Sequence, residues 1–202
     1  DQVNATGGVD LGGTPHTLEL VVADSACSAE QGVIAAQVLL EAGAVAVVGH
    51  SCSSASRAAQ PLYAAAGVPM ISPSATRPQL TEMGYTTTFR TIPHDGSAAA
   101  SLATYLRTQA GLARSAVVEI EGWYQWSLDY YSTTFTSLGG TITSRRQVSS
   151  TDDFSATLSA IQAENADVIF YVDSDPERAG AFSRTAHDMG MANVVIAWNT
   201  WG

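Results

Sequence analysis

Residues 44–76 read AVAVVGHSCSSASRAAQPLYAAAGVPMISPSAT, and this run decides the fold class. It opens on a fully apolar stretch, 44–48, bounded by Gly43 and Gly49, which fits a short buried strand. A Ser-rich turn then leads into a helical pattern over residues 54–66. A second apolar strand, 68–71, is broken by Ser72-Pro73-Ser74. A strand, a helix and another strand in so short a span form the crossover unit of a parallel sheet.

The same rhythm extends in both directions. Upstream, TLELVVA (17–23) is β-branched and apolar and predicts a strand. Residues 29–42 follow with Val33, Ala36, Leu39 and Leu40 at helical spacing. Downstream, strands are predicted at 87–92, 115–120, 141–147, 167–172 and 194–198. Helices are predicted at 97–110, 127–138, 154–163 and 176–189, the last with Pro176 at its first position. The expected fold class is therefore α/β, with two Rossmann-like lobes built on parallel sheets. The segment Ile92-Pro93-His94-Asp95-Gly96 carries Pro and Gly before a fresh helix, which divides the chain into lobes 1–94 and 95–202. Residues 1–13 read as a helix tail and a Gly-rich turn, and the chain stops just after a strand, so both ends are expected to be truncated.

Composition narrows the function. Hydrophobic residues make up 46 % and charged residues 14 %, a folding composition. Nine Arg and no Lys against nineteen acidic residues give a net charge of −10. Such a chain repels nucleic acid, and no basic stripe offsets this. No apolar run approaches the roughly 18 residues of a membrane span.

In open parallel sheets, ligands sit beyond the carboxyl ends of the strands. There the sequence places two hydroxyl-rich loops, 49–54 (GHSCSS) and 72–76 (SPSAT), each leading toward a helix. Backbone amides, the helix dipole and the hydroxyls together make a cradle for a carboxylate or phosphate. Plain N-capping is the competing reading of the same residues. Asp173 and Asp175 follow a strand and are placed to meet a ligand cation, whereas Asp152 and Asp153 begin a helix and suit its dipole.

Catalytic patterns are missing. Gly49-His50-Ser51 lacks the G-x-S-x-G of a nucleophile elbow, and His16, His94 and His187 are scattered. There is no metal-ligand spacing, Walker sequence or G-x-G-x-x-G, so no catalytic residue, metal or cofactor is expected. Cys27 and Cys52 are either a bridged pair or two reduced thiols; a bridge closing that loop is worth roughly 3 to 3.5 kcal/mol.

Residues 47–91, VVGHSCSSASRAAQPLYAAAGVPMISPSATRPQLTEMGYTTTFRT, resemble the leucine/isoleucine/valine-binding proteins of the type I periplasmic binding fold. The resemblance rests on G-H-x-C-S-S, Tyr63, G-V-P-M-I-S-P-S-A-T, L-T-x-x-G-Y and F-R-T, and it extends more weakly through the helix after Tyr124 and D-D-F-S. It implies a Cys27–Cys52 disulfide and a periplasmic or extracellular location, with lipid anchoring of the full-length protein compatible. It implies that Ser53 and Thr76 donate to an amino acid's carboxylate. The backbone at Ser74 and Ala75 then lies beside the ligand, and Tyr124 contacts it from the second lobe. The implied partners are a small amino acid or carboxylate and the membrane subunits of an ABC transporter.

Two departures bear on the ligand. The chain has Asp173-Ser174-Asp175 where the family carries a tyrosine-bearing stretch, and Asn199 at or beside the family's ammonium-binding glutamate. Either Asp173 or Asp175 supplies that charge, or the ligand is an aromatic or aliphatic carboxylate without an amine. A ligand-sensing receptor ectodomain of the same fold is the other alternative.

Overall fold

The computed structural model describes residues 2–122, 124–149 and 153–191, together with the backbone of 195–199. The chain divides into two compact units, Asp1–Ile92 and Pro93–Gly202.

In the first unit, α1 (Gln2–Ala5) leads into an antiparallel hairpin of β1 (Val9–Leu11) and β2 (Thr14–His16). The alternating part comprises α2 (Ala29–Glu41), β3 (Val47–Val48), α3 (Ser53–Ala66), β4 (Met70–Ser72), α4 (Gln79–Glu82) and β5 (Thr88–Arg90). Strands β3, β4 and β5 pair in that order, all parallel. Ser28 caps α2 by accepting from the Gln31 amide, and α3 stops at Gly67, whose φ of 69° suits glycine. Helices α2 and α3 touch so closely that a Cβ on Gly32 would stand 2.7 Å from Ala55 Cα.

Segment 17–23, expected as a strand, forms none. The backbone N–H and C=O of Leu18 bond the side chain of Asn4 instead of a neighbouring strand. Leu20 and Val22 are 87 % and 79 % exposed. Strand propensity is a preference for a pleated, half-buried surface, and it yields a strand only where a ladder partner exists.

The sheet of the first unit has two unlike faces. Val47, Met70 and Thr88, in register, are buried beneath Ala36, Leu39, Ala59 and Tyr63. Their successors Val48, Ile71 and Phe89, also in register, are 85 %, 39 % and 49 % exposed. A parallel sheet normally carries cover on both faces, so this one presents an open apolar stripe.

The second unit comprises α5 (Asp95–Thr108), β6 (Arg114–Ile120), α6 (Gln125–Ser137), β7 (Thr141–Val148), α7 (Phe154–Ala163), β8 (Val168–Val172), α8 (Pro176–Asp188) and β9 (Val195–Asn199). Its sheet runs β7-β6-β8-β9, every pair parallel. Alternation along β6 and β8 feeds two cores. Val118, Ile120, Ile169 and Tyr171 pack with Leu158, Ile161 and Phe182 on one face. Val117, Val168 and Phe170 pack with Ala103, Leu128, Tyr131 and Phe135 on the other. Stacked rings fill both, with Tyr131 on Phe170 and Tyr171 on Phe182 at 4.2 Å each. Each such buried side chain contributes about 1.5–3 kcal/mol. Helix starts follow the expected chemistry: His94 Nδ1 accepts from the Ser97 amide, and Asp153 from the Ser155 amide. Asp152 lies outside the described residues.

The open stripe generates a test. The chain in solution is expected to bind a fluorescent apolar dye and to self-associate as its concentration rises. Replacing Val48, Ile71 and Phe89 by Thr suppresses both and moves the melting temperature by only about a few degrees. Dye binding that survives the substitution would place the apolar surface elsewhere.

Candidate ligand-binding site

In the first unit the site begins where β3 ends. The chain turns through residues 49–52 and enters α3 at Ser53, so the amides of the helix's first turn have no intrahelical acceptors. Cys52 and Cys27 are joined in a disulfide, with Cα atoms 5.1 Å apart. Ser54 Oγ donates to the Cys27 carbonyl at 2.7 Å, a second tie between this turn and the segment before α2.

The second loop leaves β4 at Ser72. The buried Ser72 Oγ donates to the His50 carbonyl at 2.7 Å and accepts from the Ala75 amide at 3.0 Å. Ser74 Oγ donates to the Ser51 carbonyl at 2.8 Å. Ser53 Oγ accepts from the Arg77 amide at 3.2 Å. The structure thus brings Ser53, Ser74, Ala75 and Thr76 together as two laced loops. Ala75 is buried, whereas Ser53 and Thr76 are half-buried. Ser53 accepts through its oxygen and keeps its hydroxyl proton for a further acceptor.

His50 belongs to the core beneath these loops. It is buried, its Nε2 bonds Tyr63 Oη at 3.1 Å, and its carbonyl also accepts from Ser56 Oγ at 3.0 Å. Burial lowers the His50 pKa and pushes the Tyr63 phenol up to about 12, so both are held neutral at ordinary pH. A neutral, immobilised imidazole props the loop.

Arg90, at the end of β5, was invisible to sequence reasoning as a site residue. Its guanidinium donates to the carbonyls of Ala75 and Arg77 at 3.1 Å, to that of Pro78 at 3.0 Å and to Thr81 Oγ1 at 2.6 Å. One side chain clasps the whole loop that carries Thr76. In the sequence it stands only as the middle of F-R-T, one of the motifs that carry the family resemblance.

In the second unit, Tyr124 ends the turn after β6 and precedes α6. It packs against the α5/α6 core, with its ring 5.9 Å from that of Trp126. A cavity of about 260 Å³ opens here, lined by Ile120, Glu121, Tyr124, Ser174 and Arg178.

Asp173 is fully buried and its carboxylate is occupied. Arg178 donates to it through Nε at 2.7 Å and Nη2 at 2.6 Å; Tyr171 Oη adds a bond at 2.8 Å and the Asp175 amide one at 2.9 Å. Burial by itself raises this carboxyl. The Arg178 bonds, the Asp175 amide, Tyr171 and the guanidinium charge together outweigh that and hold it below the usual range. Asp175 caps α8 by accepting from the amides of Glu177 at 2.9 Å and Arg178 at 3.2 Å. Its other oxygen takes Arg178 Nη1 at 3.2 Å. Asn199 ends β9 in register with Val172, at the same edge of the sheet; its side chain lies outside the described residues.

Among the described residues no group of His, Cys, Asp or Glu is disposed to hold a metal, and no helix is long and apolar enough to cross a membrane.

Parallel α/β units with polar loops at the carboxyl ends of their strands define a class of fold that binds small molecules at those loops. The whole of residues 1–202 matches the periplasmic binding protein family, and the chain belongs to it. The Leu/Ile/Val-binding protein of Rhizobium johnstonii is 33 % identical over 198 residues, which cover 97 % of this chain and 52 % of that protein. The leucine-specific-binding protein of Salmonella typhimurium is 30 % identical over 197 residues, covering 94 % and 50 %. An ABC transporter substrate-binding protein from Desulfitobacterium hafniense, solved in complex with Leu, matches with a TM-score of 0.81 at 32 % identity, over 99 % of this chain and 59 % of that one. The chain spans about half the length of the curated relatives it matches.

The Arg90 clasp carries a prediction. Arg90→Met is expected to cost about 2–3 kcal/mol in urea unfolding, because several loop carbonyls lose a charged donor. Arg90→Lys recovers little of it, since a point charge cannot replace the fork. A loss below about 0.5 kcal/mol in both variants would mean that the loop holds itself.

Proposed function

We propose that the protein is the extracytoplasmic solute-binding component of an ABC transporter, and that it captures an amino acid of the branched-chain class as its zwitterion. In this reading the hydroxyls of Ser53 and Thr76 hold the carboxylate. The backbone at Ser74 and Ala75 lies alongside, and Tyr124 covers the ligand from the second unit. The bound ligand favours a closed form that the transporter's membrane subunits recognise. Nothing covalent happens to the solute.

The observation that carries the reading is the pair of laced loops at the start of α3, where half-buried hydroxyls stand beside unsatisfied helix amides. The surroundings of the second-unit cavity support an ammonium partner. Glu121, Asp173 and Asp175 outnumber the Arg178 guanidinium, so that cluster is net negative and disfavours a second carboxylate. With Asp173 spent on Arg178, the reading assigns the ammonium to Asp175, with Asn199 as a neutral partner at the sheet edge. The Cys27–Cys52 disulfide and the family suit an oxidising, extracytoplasmic setting.

The test is a thermal-shift series with leucine, isoleucine, valine and the corresponding carboxylates lacking the amine. Ligand at 100 times its Kd adds about 2.7 kcal/mol of stability. The branched-chain amino acids are expected to raise the melting temperature of the wild type and to leave Ser53→Ala and Thr76→Ala unmoved. Stabilisation by the amine-free carboxylates alone would replace the amino acid with a simple organic acid.

A further inference from the structure

Glu119 is a carboxylic acid in an apolar place. It lies on β6, between β7 and β8, and is 3 % exposed. By alternation it shares a face with Val117, whose neighbours are Leu128, Tyr131 and Phe135 of α6. A buried carboxyl at such a position burdens the fold, and an aliphatic side chain would fill the space at lower cost. Its hydrogen bond shows what it does there: Oε2 accepts from the backbone N–H of Tyr124 at 3.1 Å.

Tyr124 stands at the N-cap of α6 and makes no side-chain cap of its own. The Glu119 carboxylate therefore serves the helix start from across the turn, where the dipole favours negative charge. The charged groups that face it are Arg145 on β7 and Asp129 on α6, which are paired with each other. Burial raises the Glu119 carboxyl above its ordinary 4.5; the Tyr124 amide and Arg145 oppose this, and Asp129 adds to it.

We propose that Glu119 is a positioning residue for the ligand site: its ionised carboxylate, through the Tyr124 N–H, fixes the turn that presents the Tyr124 ring. The inference rests on Tyr124 contacting the solute as proposed above. It gives Glu119 two opposed effects. The ionised form strengthens the hold on Tyr124 and thus on ligand. Because the folded pKa is raised, the stability tied to Glu119 is present in full below the unfolded value and is lost as pH rises through the folded one. Affinity and stability therefore move in opposite directions with pH.

The experiment is calorimetric titration with L-leucine of the wild type, Glu119→Gln, Tyr124→Ala and the double variant, from about pH 8 to about pH 5, with melting temperatures alongside. Glu119→Gln is expected to bind about tenfold more weakly at the upper pH, the scale of one charge-assisted hydrogen bond weakened. It is also expected to melt higher than the wild type there. On acidification the wild type's affinity and melting temperature both converge on those of the variant. In the Tyr124→Ala background, Glu119→Gln is expected to have no further effect on affinity. Unchanged affinity in Glu119→Gln, or affinity and stability falling together at every pH, would overturn the positioning role alone. Failure of the wild type to bind leucine or any branched-chain amino acid would overturn the functional reading, and this inference with it. Undiminished binding in Tyr124→Ala would remove Tyr124 from the site and the inference too, while leaving the Ser53–Thr76 cradle standing.

Discussion

Parallel pairing governs where chemistry can sit in this molecule. When every strand of a sheet points the same way, its carboxyl ends share one edge, and the chain leaves each of them toward a helix. In the first unit that edge gathers the turns after β3 and β4; in the second it gathers those after β6 and β8. The turns carry much of the polar chemistry: Ser74 and Thr76 follow β4, and Asp173 and Asp175 follow β8. The second unit shows the arrangement complete, with a core on each side of its sheet. In the first, one side is filled, and the stripe through Val48, Ile71 and Phe89 is open.

Most polar groups at the two edges are committed to structure. Ser72, Ser74 and Ser54 stitch one loop to another. Arg90 clasps the Thr76 loop, Asp175 caps α8, and Asp173 is closed around Arg178. Such satisfaction makes a site rigid, because each bond to a neighbouring loop removes freedom that ligand binding would otherwise have to remove. In the proposed function the hydroxyls of Ser53 and Thr76, the half-exposed Asp175 carboxylate and the ring of Tyr124 serve the solute.

The α/β alternation is legible from sequence between α2 and β9, where short β-branched or apolar runs alternate with helical periods. Phe154–Ala163 was read to the residue. Segment 17–23 was misread because its composition reports a preference that only a neighbouring strand can realise. The hairpin of β1 and β2 was hidden in a Gly-rich stretch, and α4 has four residues, too few for a helical period to show. At the site, the clustering of Ser53 with the 72–76 loop followed from the rule about strand ends. The fate of Asp173 did not: its pairing with Arg178 joins a strand end to the first turn of the next helix, which neither period brings into view. Arg90 and Glu119 are equally silent, since the sequence does not show what a charged residue within a strand touches.

The proposed function has at its centre a ligand held by both units at once. Hydrogen–deuterium exchange with and without saturating L-leucine tests this most directly. The account predicts added protection in residues 53–56 and 74–77 of the first unit together with residues 124–128 of the second. Protection confined to one unit, or absent from both, would contradict it.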